Sequence, residues 1–353
     1  MTTRTRAGLV GALALMLALA ACSAHEPDAV TKTVPPDVSV SKSAPPKPAP
    51  QPVVWPLTGV ATDKVVDRPA LAIKIENSRD ARPQTGLEYA DMVWEEVVEG
   101  GITRFVAVFN SQIPAQVLPV RSARPMDPEI VAPLGGILAY SGAQPQFIDM
   151  INASGVQSVI MDRGDAGFTR DRSRRAPHNV LGDPQTFLAQ AHGDRKSPPP
   201  AQFRFAEKVG KGTASSSGSA ANHLNVVMSG IQRTVWDWDA PSGTYVRSDG
   251  ATPSVSTTGA RLASRNVLVL GVQMHNTQWR DPAGNPVPET NLNGTGNGFV
   301  ASGGKYVPIT WSKASTADLL VLKGADGKEV KLDPGNTWVE LVPTNAGGGW
   351  AIS

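Results

Sequence analysis

The single cysteine of this 353-residue chain stands at the end of a short apolar segment near the N-terminus. Arg4 and Arg6 precede an apolar run over residues 9–21, whose last residues are small, and Cys22 follows directly. A positive segment, a short apolar segment and small residues before a cleavage point form a secretory signal. Because cysteine comes first after that point, the pattern predicts a bacterial lipoprotein signal, cut before Cys22 and acylated there. The alternatives are an ordinary signal peptide with a coincidental cysteine, or a membrane-spanning helix, for which the run is far shorter than the ~20 residues required.

Lipidation of Cys22 limits how the rest of the chain can be stabilised. The mature protein would contain no free thiol, so disulfides and cysteine-ligated metals would not hold its fold, although its compartment permits disulfides. About 300 residues remain, enough to bury roughly three quarters of their unfolded surface in a packed core. The predicted location is the extracytoplasmic face of the bacterial cell membrane, where more than one acyl chain, such as palmitate, gives a stable anchor.

The charge balance argues against a nucleic-acid partner. The whole chain has 33 Lys and Arg against 31 Asp and Glu, and removal of Arg4 and Arg6 leaves 31 of each. No polybasic face is implied, so the lipid on Cys22 is the expected link to the membrane. No spacing of His, Asp and Glu resembles a zinc or calcium site, and the glycine-rich residues 294–298 lack the strand-before, helix-after context of a phosphate loop. We therefore expect no metal and no cofactor.

Composition divides the chain into five segments. These are a signal peptide (1–21), a proline-rich tether (22–52), an N-terminal α/β domain (53–195), a low-complexity connector (196–222) and a β-rich C-terminal domain (223–353). The prolines of the tether favour an extended polyproline conformation, which holds the folded part away from the membrane. The connector is either a true linker or a loop inside one folded unit. The expected fold class is α+β, with a mixed sheet and helices in the N-terminal half and a β-rich C-terminal half.

Strand and helix signals alternate in the N-terminal half. Residues 71–75 and 137–140 are rich in strand-forming residues and predict two strands. A helix is expected over about 145–151, and Asp183 is typical of the N-cap of a further helix over about 184–191, which begins with proline.

Two β-rich runs, 93–99 and 102–109, flank Gly100 and Gly101. Their arrangement predicts a hairpin with a tight two-residue primed turn, and a helix over 91–99 is the alternative. Almost all of the C-terminal half is predicted to form strands, which are separated by turns rich in Gly, Asn, Asp and Pro. Its clearest runs are 224–228, 234–239, 244–247, 266–273 and 337–342.

The predicted hairpin brings carboxylates close to an arginine. With a two-residue turn, Val97 lies opposite Arg104, and Glu95 and Glu99 are its diagonal neighbours on one face. Glu95 and Glu99 are therefore candidates for a general acid/base pair. The alternative is an ion-pair ladder that contributes only about 0–1 kcal/mol per pair.

Two arginines, Arg121 and Arg124, lie on a turn bounded by prolines. Arginine forks bind carboxylates or phosphates with two hydrogen bonds. We therefore predict an anion-binding site formed by Arg121, Arg124 and Arg104, together with Glu76 and Asn77 at the end of the first strand. The alternative is an internal clamp, in which the arginines neutralise Glu76 or the carboxylates of the hairpin.

His178 follows the basic run 170–175 and lies next to other candidate residues in the sequence. It is the third acid/base candidate, and the alternative is a hydrogen-bonded structural histidine. The basic run is either a solvated surface segment or a gate to an anionic pocket. Four tryptophans occur in runs that predict strands: Trp236, Trp238, Trp311 and Trp338. They either pack in the core or form an aromatic platform that binds sugars.

A series of short motifs extends in order over most of residues 55–345. The motifs lie at 68–72, 76–78, 81–87, 90–91, 98–105, 120–125, 177–179, 238–245, 266–270, 296–298 and 335–338. Their order and content resemble the YerB-like bacterial lipoproteins. The resemblance implies a mixed α+β fold with a β-rich C-terminal part, and a family without an established activity, so no catalytic residue is carried over. The Ala/Ser/Gly insert at 212–221 departs from the family pattern and leaves the boundary between the halves open.

The sequence therefore predicts a lipid-anchored protein of the cell envelope. Our leading hypothesis is a binding or accessory protein for an anionic wall-derived ligand or a protein partner. One alternative is a cell-wall glycan hydrolase or transferase that uses the paired glutamates. A second alternative is a structural scaffold, in which the polar motifs only hold the two halves together.

Overall fold

The computed structural model describes residues 52–353. The predicted signal peptide, Cys22 and the tether up to residue 51 lie outside the described residues. Within the described part strands dominate and helices are short, which confirms the α+β class and the strand-rich C-terminal half. None of the helices in residues 52–353 is long and apolar enough to cross a membrane.

Strands and helices alternate up to residue 189, as the sequence predicts. The elements are β1 (Leu71–Glu76), β2 (Met92–Val97), β3 (Thr103–Phe109), α1 (Asp127–Val131), β4 (Ile137–Tyr140), α2 (Pro145–Ala153), β5 (Gln157–Ile160), β6 (Phe168–Arg170), β7 (Val180–Gly182) and α3 (Pro184–Ala189). Short 3-10 turns occupy Arg79–Ala81, Leu87–Tyr89, Glu99–Gly101, Ala132–Leu134 and Met161–Arg163. The predicted N-cap of α3 is confirmed, because the Asp183 side chain accepts hydrogen bonds from the backbone N–H groups of Gln185 and Thr186.

After residue 200 the chain is almost entirely β-structure. The elements are β8 (Arg204–Phe205), α4 (Thr213–Ser217), β9 (Ser219–Ala220), β10 (His223–Val227), β11 (Arg233–Asp239), β12 (Thr244–Asp249), β13 (Thr252–Pro253), β14 (Ala263–Ser264), β15 (Asn266–Arg280), β16 (Pro286–Asn291), β17 (Gly294–Ser302), β18 (Lys305–Lys313), β19 (Val321–Lys323), β20 (Lys331–Leu332), β21 (Thr337–Pro343) and β22 (Gly349–Ile352). The five predicted strand runs coincide with β10, β11, β12, β15 and β21. Residues 196–222 carry part of the core, since Phe203 and Ala214 are buried.

One twelve-stranded mixed sheet contains strands from both halves of the chain. Its order is β19-β18-β17-β15-β21-β2-β3-β1-β4-β5, with β16 paired to β15 and β9 to β18. Strand β21 comes from near the C-terminus and runs parallel to both β2 and β15. This pairing joins the halves, and residues 52–353 form one compact unit.

Each face of the large sheet carries its own hydrophobic core. Side chains alternate between faces along a strand, so Ala72 faces one core while Leu71 and Ile73 face the other. The first core includes residues of α1, α2 and α4. The second lies against a six-stranded sheet of order β13-β12-β11-β10-β22, with β14 beside β12. Trp236 of that sheet and Trp338 of β21 meet edge to face at 5.2 Å, as core packing predicts.

The connection between β2 and β3 differs from the two-residue turn that the sequence predicts. Val98 N donates to Ile102 O at 2.8 Å, and the loop between them has three residues, Glu99–Gly101. Both loop glycines have positive φ, 69° and 76°, a conformation that residues with a side chain rarely adopt. The extra residue shifts the register by one, so Val97 pairs with Thr103 and the predicted pairing of Val97 with Arg104 is wrong.

A glycine in β17 provides a test of how closely the central strands pack. A Cβ at Gly298 would meet the carbonyl oxygen of Val269 well inside contact distance, whereas a Cβ at Gly349 in β22 would meet nothing within 4 Å. We therefore expect Gly298→Ala to lower the free energy of unfolding by about 1–3 kcal/mol. Gly349→Ala should change it by less than about 0.5 kcal/mol. Urea denaturation measures both, and equal stabilities of the two variants would contradict this packing.

Candidate functional site

A row of charged side chains crosses three neighbouring strands of the large sheet. Arg104 of β3 lies opposite Glu76 of β1 on one side and Glu96 of β2 on the other. Residues directly opposite each other in a sheet point to the same face. All three side chains are buried, so this face carries charge beneath the protein surface.

The segment before α1 brings the two predicted arginines to this row. Glu76 N donates to Pro119 O at 3.0 Å, and Arg121 N donates to Lys74 O at 2.8 Å, which fixes the segment beside β1. Arg121 Nε then lies 3.5 Å from Glu76 Oε2. Three residues later, the Arg124 guanidinium donates to Glu99 Oε2 at 2.7 Å. The predicted internal pairing with Glu76 is therefore present for Arg121, which stays partly exposed, whereas Arg124 is buried and pairs with Glu99.

His178 completes the group on the side of β7. Its Nδ1 lies 3.0 Å from both carboxylate oxygens of Glu76. The basic loop that precedes it is held against the body, because Arg174 donates to Ala81 O at 3.0 Å and Pro83 O at 2.6 Å. We call the set formed by Arg104, Arg121, Arg124, Glu76, Glu99 and His178 the arginine cluster.

The charges of the arginine cluster are nearly balanced. Arg104, Arg121 and Arg124 face Glu76 and Glu99 within the cluster, and Arg104 also lies opposite Glu96, so one positive charge remains when Glu96 is protonated. The pKa of Arg104 is lowered to about 9, first by burial and then by the nearby Arg124 and Arg121, with Glu99 and Glu76 opposing. Crowded like charges of this kind favour the binding of an anion.

Several donors of the arginine cluster are unused. The Nε groups of Arg104, Arg121 and Arg124 are buried and have no hydrogen-bond partner within residues 52–353, and neither has Glu99 Oε1. The only hydrogen bond given by the Arg104 guanidinium within that range goes to Ser122 O, at 2.7 Å. Buried polar groups are normally hydrogen-bonded, so unpartnered guanidinium N–H groups indicate where a ligand or solvent belongs.

A buried lysine lies beside the arginine cluster. Lys74 Nζ, in the middle of β1, donates to Glu96 and, at 2.6 Å, to Asp127 Oδ1. Burial raises the pKa of Glu96 to about 7, with Asp127 adding to the rise and Lys74 opposing it. Asp127 Oδ2 also accepts from Arg124 N at 2.6 Å, which anchors the arginine turn to the sheet. Lys74 and Asp127 were not among the predicted site residues. The position of Lys74 within the apolar run of β1 is a signal that could have identified it.

Glu95 belongs to a different network, on the opposite face of the sheet. It is fully buried and accepts from Arg247 at 2.8 Å and from Thr103 at 2.6 Å. Asn77 Nδ2 donates to the same carboxylate at 3.1 Å, so this predicted ligand-binding residue joins Glu95 rather than the arginine cluster. Arg247 also pairs with Asp249 at 2.9 Å.

Arg247 lies close to two neighbouring carboxylates inside the core. Glu95 of β2 pairs in register with Glu340 of β21, and burial and then the nearby Glu95 raise the pKa of Glu340 well above its ordinary value. Burial alone would lower the pKa of Arg247, but Asp249, Glu95 and Glu340 raise it above its ordinary value. Its guanidinium also lies over the Phe105 and Trp338 rings at 5.3 and 5.2 Å. Glu340 was missed in sequence because it stands in an apolar strand run that indicates only core. Arg247 stands in a partly polar strand, where no local pattern shows that it is buried.

The two predicted acid/base glutamates therefore lie in different surroundings. Glu95 has no exposed surface, and Arg247 is its ion-pair partner. Glu99 pairs with Arg124 and borders a cleft of about 360 Å³, whose wall includes the apolar side chains of Val97 and Met274. In the part of the chain that the structure describes, no three His, Cys, Asp or Glu side chains are grouped to hold a metal ion.

Comparisons with known proteins identify close counterparts of this fold. A family described as "Protein of unknown function (DUF3048)" matches over residues 57–197 with its N-terminal domain and over residues 224–339 with its C-terminal domain. The protein named "Putative lipoprotein YerB" of Bacillus subtilis (strain 168) is 28% identical over 294 residues, which is 82% of this chain and 86% of that protein. The crystal structure of YerB protein from Bacillus subtilis is similar with a TM-score of 0.72 and 25% identity, over 85% of this chain and 99% of that chain. These matches confirm the resemblance that the ordered motifs indicated.

Removal of Arg247 should unfold much of the protein. Arg247→Met leaves Glu95 buried without its ion-pair partner, so we expect a loss of about 3–5 kcal/mol in the free energy of unfolding. Arg233→Met, on exposed surface of the neighbouring strand β11, is the matched control and should change it by less than about 0.5 kcal/mol. Denaturant unfolding followed by tryptophan fluorescence measures both. A loss below about 1 kcal/mol in Arg247→Met would show that the core does not depend on this pair.

The pKa of Glu96 predicts how stability changes with pH. Because this pKa rises from 4.5 in its ordinary state to about 7 in the folded protein, the native state binds a proton that the unfolded state has released. The contribution of Glu96 to stability is therefore full below about pH 4.5 and is lost as the pH rises to about 7. Glu96→Gln should flatten the fall in melting temperature over this range, whereas exposed Glu329→Gln should not. Parallel pH profiles for wild type and Glu96→Gln would contradict the assignment.

Proposed function

Because the chain belongs to the YerB-like lipoprotein family, we propose that it is a lipid-anchored binding protein of the bacterial envelope, with an anion-binding site at the arginine cluster. In this proposal the signal peptide is removed, acyl chains on Cys22 hold the protein on the extracytoplasmic face of the membrane, and the proline-rich tether holds the folded unit away from it. The ligand is an anionic fragment derived from the cell wall, or the acidic group of an envelope protein.

The observation that carries the proposal is the set of unused donors on three converging arginines. Arg104 and Arg124 are at least nine-tenths buried, and each has an Nε group that no atom in residues 52–353 accepts. Arg121 and His178 are 25% and 21% exposed, so a ligand can reach the cluster from solvent. A buried guanidinium next to a partly exposed one supplies both binding energy and access.

The chemistry of the cluster defines the ligand as a carboxylate or a phosphate. A planar guanidinium presents parallel N–H groups that match two oxygens of either group. When Glu96 is protonated, the remaining positive charge beside Arg104 matches a single anionic group. The cleft beside Glu99 adds apolar surface from Val97 and Met274, which suits a ligand with an apolar part next to its charge.

The burial of the glutamates argues against the wall-hydrolase alternative. Glycoside hydrolysis requires two carboxyl groups about 5–9.5 Å apart that flank an open cleft. Glu95 is fully buried beneath Arg247, and Glu99 is held by another arginine, Arg124. A glutamate without exposed surface cannot contact a glycan unless the sheet opens.

The binding proposal predicts that the arginines are needed for the ligand and not for the fold. We expect soluble, carboxylate-bearing peptidoglycan fragments to raise the melting temperature of the compact unit, residues 52–353, by about 2–4 °C for each kcal/mol of binding stabilisation. A double variant, Arg121→Gln with Arg124→Gln, should bind at least about tenfold more weakly, because each arginine gives charge-assisted hydrogen bonds. Thermal shift and calorimetric titration measure both effects.

Arg172→Gln is the matched control for that experiment. Arg172 is exposed in the basic loop and should bind fragments like the wild type. A folded double variant that binds the fragments with unchanged affinity would contradict the assignment of the site. Arg121→Gln alone separates binding from scaffolding: we expect a loss of at most about 1 kcal/mol for this partly exposed pair, whereas a scaffold role requires several kcal/mol.

Insoluble peptidoglycan distinguishes binding from cleavage. We expect the folded unit to be retained on the purified wall without the release of soluble fragments, as followed by mass spectrometry. A variant with both Glu95→Gln and Glu99→Gln is the control. Fragments that appear with the wild type and vanish with this variant would establish the hydrolase alternative in place of the binding proposal.

A further inference from the structure

A second cleft, outside the arginine cluster, lies among strands β15, β17, β18 and β22. Its volume is about 440 Å³, and none of its lining residues belongs to the arginine cluster. Its lining contains two tryptophans, four amide side chains and no charged residue. We propose that this cleft, which we call the tryptophan cleft, binds an uncharged saccharide.

Glycines in neighbouring strands shape the tryptophan cleft. Gly296 of β17 pairs with Trp311 of β18, and a Cβ at Gly296 would lie 2.5 Å from Trp311 Nε1 and 2.6 Å from the carbonyl oxygen of Gly271. The absence of a side chain therefore lets the indole lie against the strand. Trp311 Nε1 donates to Gly271 O at 3.1 Å, which fixes the orientation of the ring. Trp311 itself is buried in the core, so it forms a fixed floor of the cleft before any ligand arrives, which reduces the entropy cost of binding.

Trp350 contributes the second indole. It is half-buried in β22, and its ring centroid lies 6.0 Å from that of Phe299, which supports it from the core. The end of its ring would lie 3.2 Å from a Cβ at Gly271. Trp350 packs against the second core, whereas Trp311 is buried in the first, so Trp350 is the indole with surface open to a ligand. A tryptophan that is packed on one side and open on the other offers apolar surface at a wet boundary. The C–H face of a pyranose ring is the apolar surface that such an indole can cover.

Amide side chains supply the polar part of the cleft. Gln273, Asn291 and Asn297 are exposed along it, and Asn293 is half-buried. Asn293 Nδ2 donates to Glu129 Oε1 at 2.7 Å, whereas its Oδ1 is buried and accepts no hydrogen bond from any described residue. Each amide has both donor and acceptor atoms, so it can pair with a hydroxyl in either direction. An acetamido substituent on a sugar presents the same two functions.

The combination of side chains selects the class of ligand. An anionic ligand would find no cation in the lining, and a purely apolar ligand would leave the amide groups without partners, at a cost of about 1–3 kcal/mol each. An uncharged saccharide has an apolar face for the Trp350 indole and hydroxyls for the amides. The tryptophan cleft therefore differs in chemistry from the arginine cluster, and its binding does not depend on the anion-binding proposal.

Chitotriose, an uncharged trimer of N-acetylglucosamine, is the probe for this site. We expect residues 52–353 to bind it with millimolar affinity. Calorimetry measures the heat of binding, and NMR spectroscopy follows the indole N–H signals of Trp350 and Trp311. Trp350→Ala should weaken binding by about tenfold or more through loss of stacking area. Asn297→Ala, at an exposed position that the fold does not need, should weaken it by at least about threefold.

Trp279→Ala is the matched control, since Trp279 is also half-buried but packs against Phe147 outside the cleft. It should bind chitotriose like the wild type. The proposal is overturned if about 10 mM chitotriose produces neither a heat of binding nor a shift of the indole N–H signals. Unchanged affinity in a folded Asn297→Ala and a folded Trp350→Ala would overturn it as well. Loss of binding in the Arg121→Gln, Arg124→Gln double variant, with both cleft variants unaffected, would place the saccharide at the arginine cluster instead.

Discussion

The insertion of β21 between β2 and β15 is the constraint on which the structure depends. All seven residues of β21 are buried, and its parallel pairing on both sides makes one sheet from two halves of the chain. The register places Glu340 beside Glu95 in the core, where two neighbouring carboxylates are costly. Arg247, from the second sheet, offsets that cost. The pairing that joins the halves therefore also requires the second sheet to pack against the first.

Alternation along β2 separates structural charge from ligand-accessible charge. Glu95 points to the second sheet and is enclosed by Arg247, whereas Glu96 points to the opposite face with Lys74. The face of Glu96 carries Arg104 and receives the arginine turn. Two adjacent residues thus serve different purposes, because a strand exposes successive side chains to different surroundings. The enclosed network has almost no exposed side chain, whereas the network on the other face is open to solvent at Arg121 and His178.

The two proposed sites differ in chemistry. The arginine cluster contains three guanidinium groups, and the tryptophan cleft has no charged side chain in its lining. Polymers of the bacterial wall carry both anionic groups and uncharged sugar rings. In the lipoprotein proposal, the lipid and the tether keep the folded unit close to such polymers. The arginine cluster is built on strands of the large sheet, whereas Trp350 of the tryptophan cleft belongs to the six-stranded sheet.

The sequence by itself determined the strand runs, the α3 cap and the family, because local patterns and ordered motifs encode these features, and it predicts a lipoprotein signal that ends at Cys22. It also indicated that Arg121, Arg124, Arg104 and Glu76 belong together. Only the tertiary structure decided the register of the β2–β3 hairpin, since one additional loop residue moves every side chain to the other face. It alone paired Glu95 with Arg247, 152 residues away, because long-range strand pairing leaves no local pattern in a sequence.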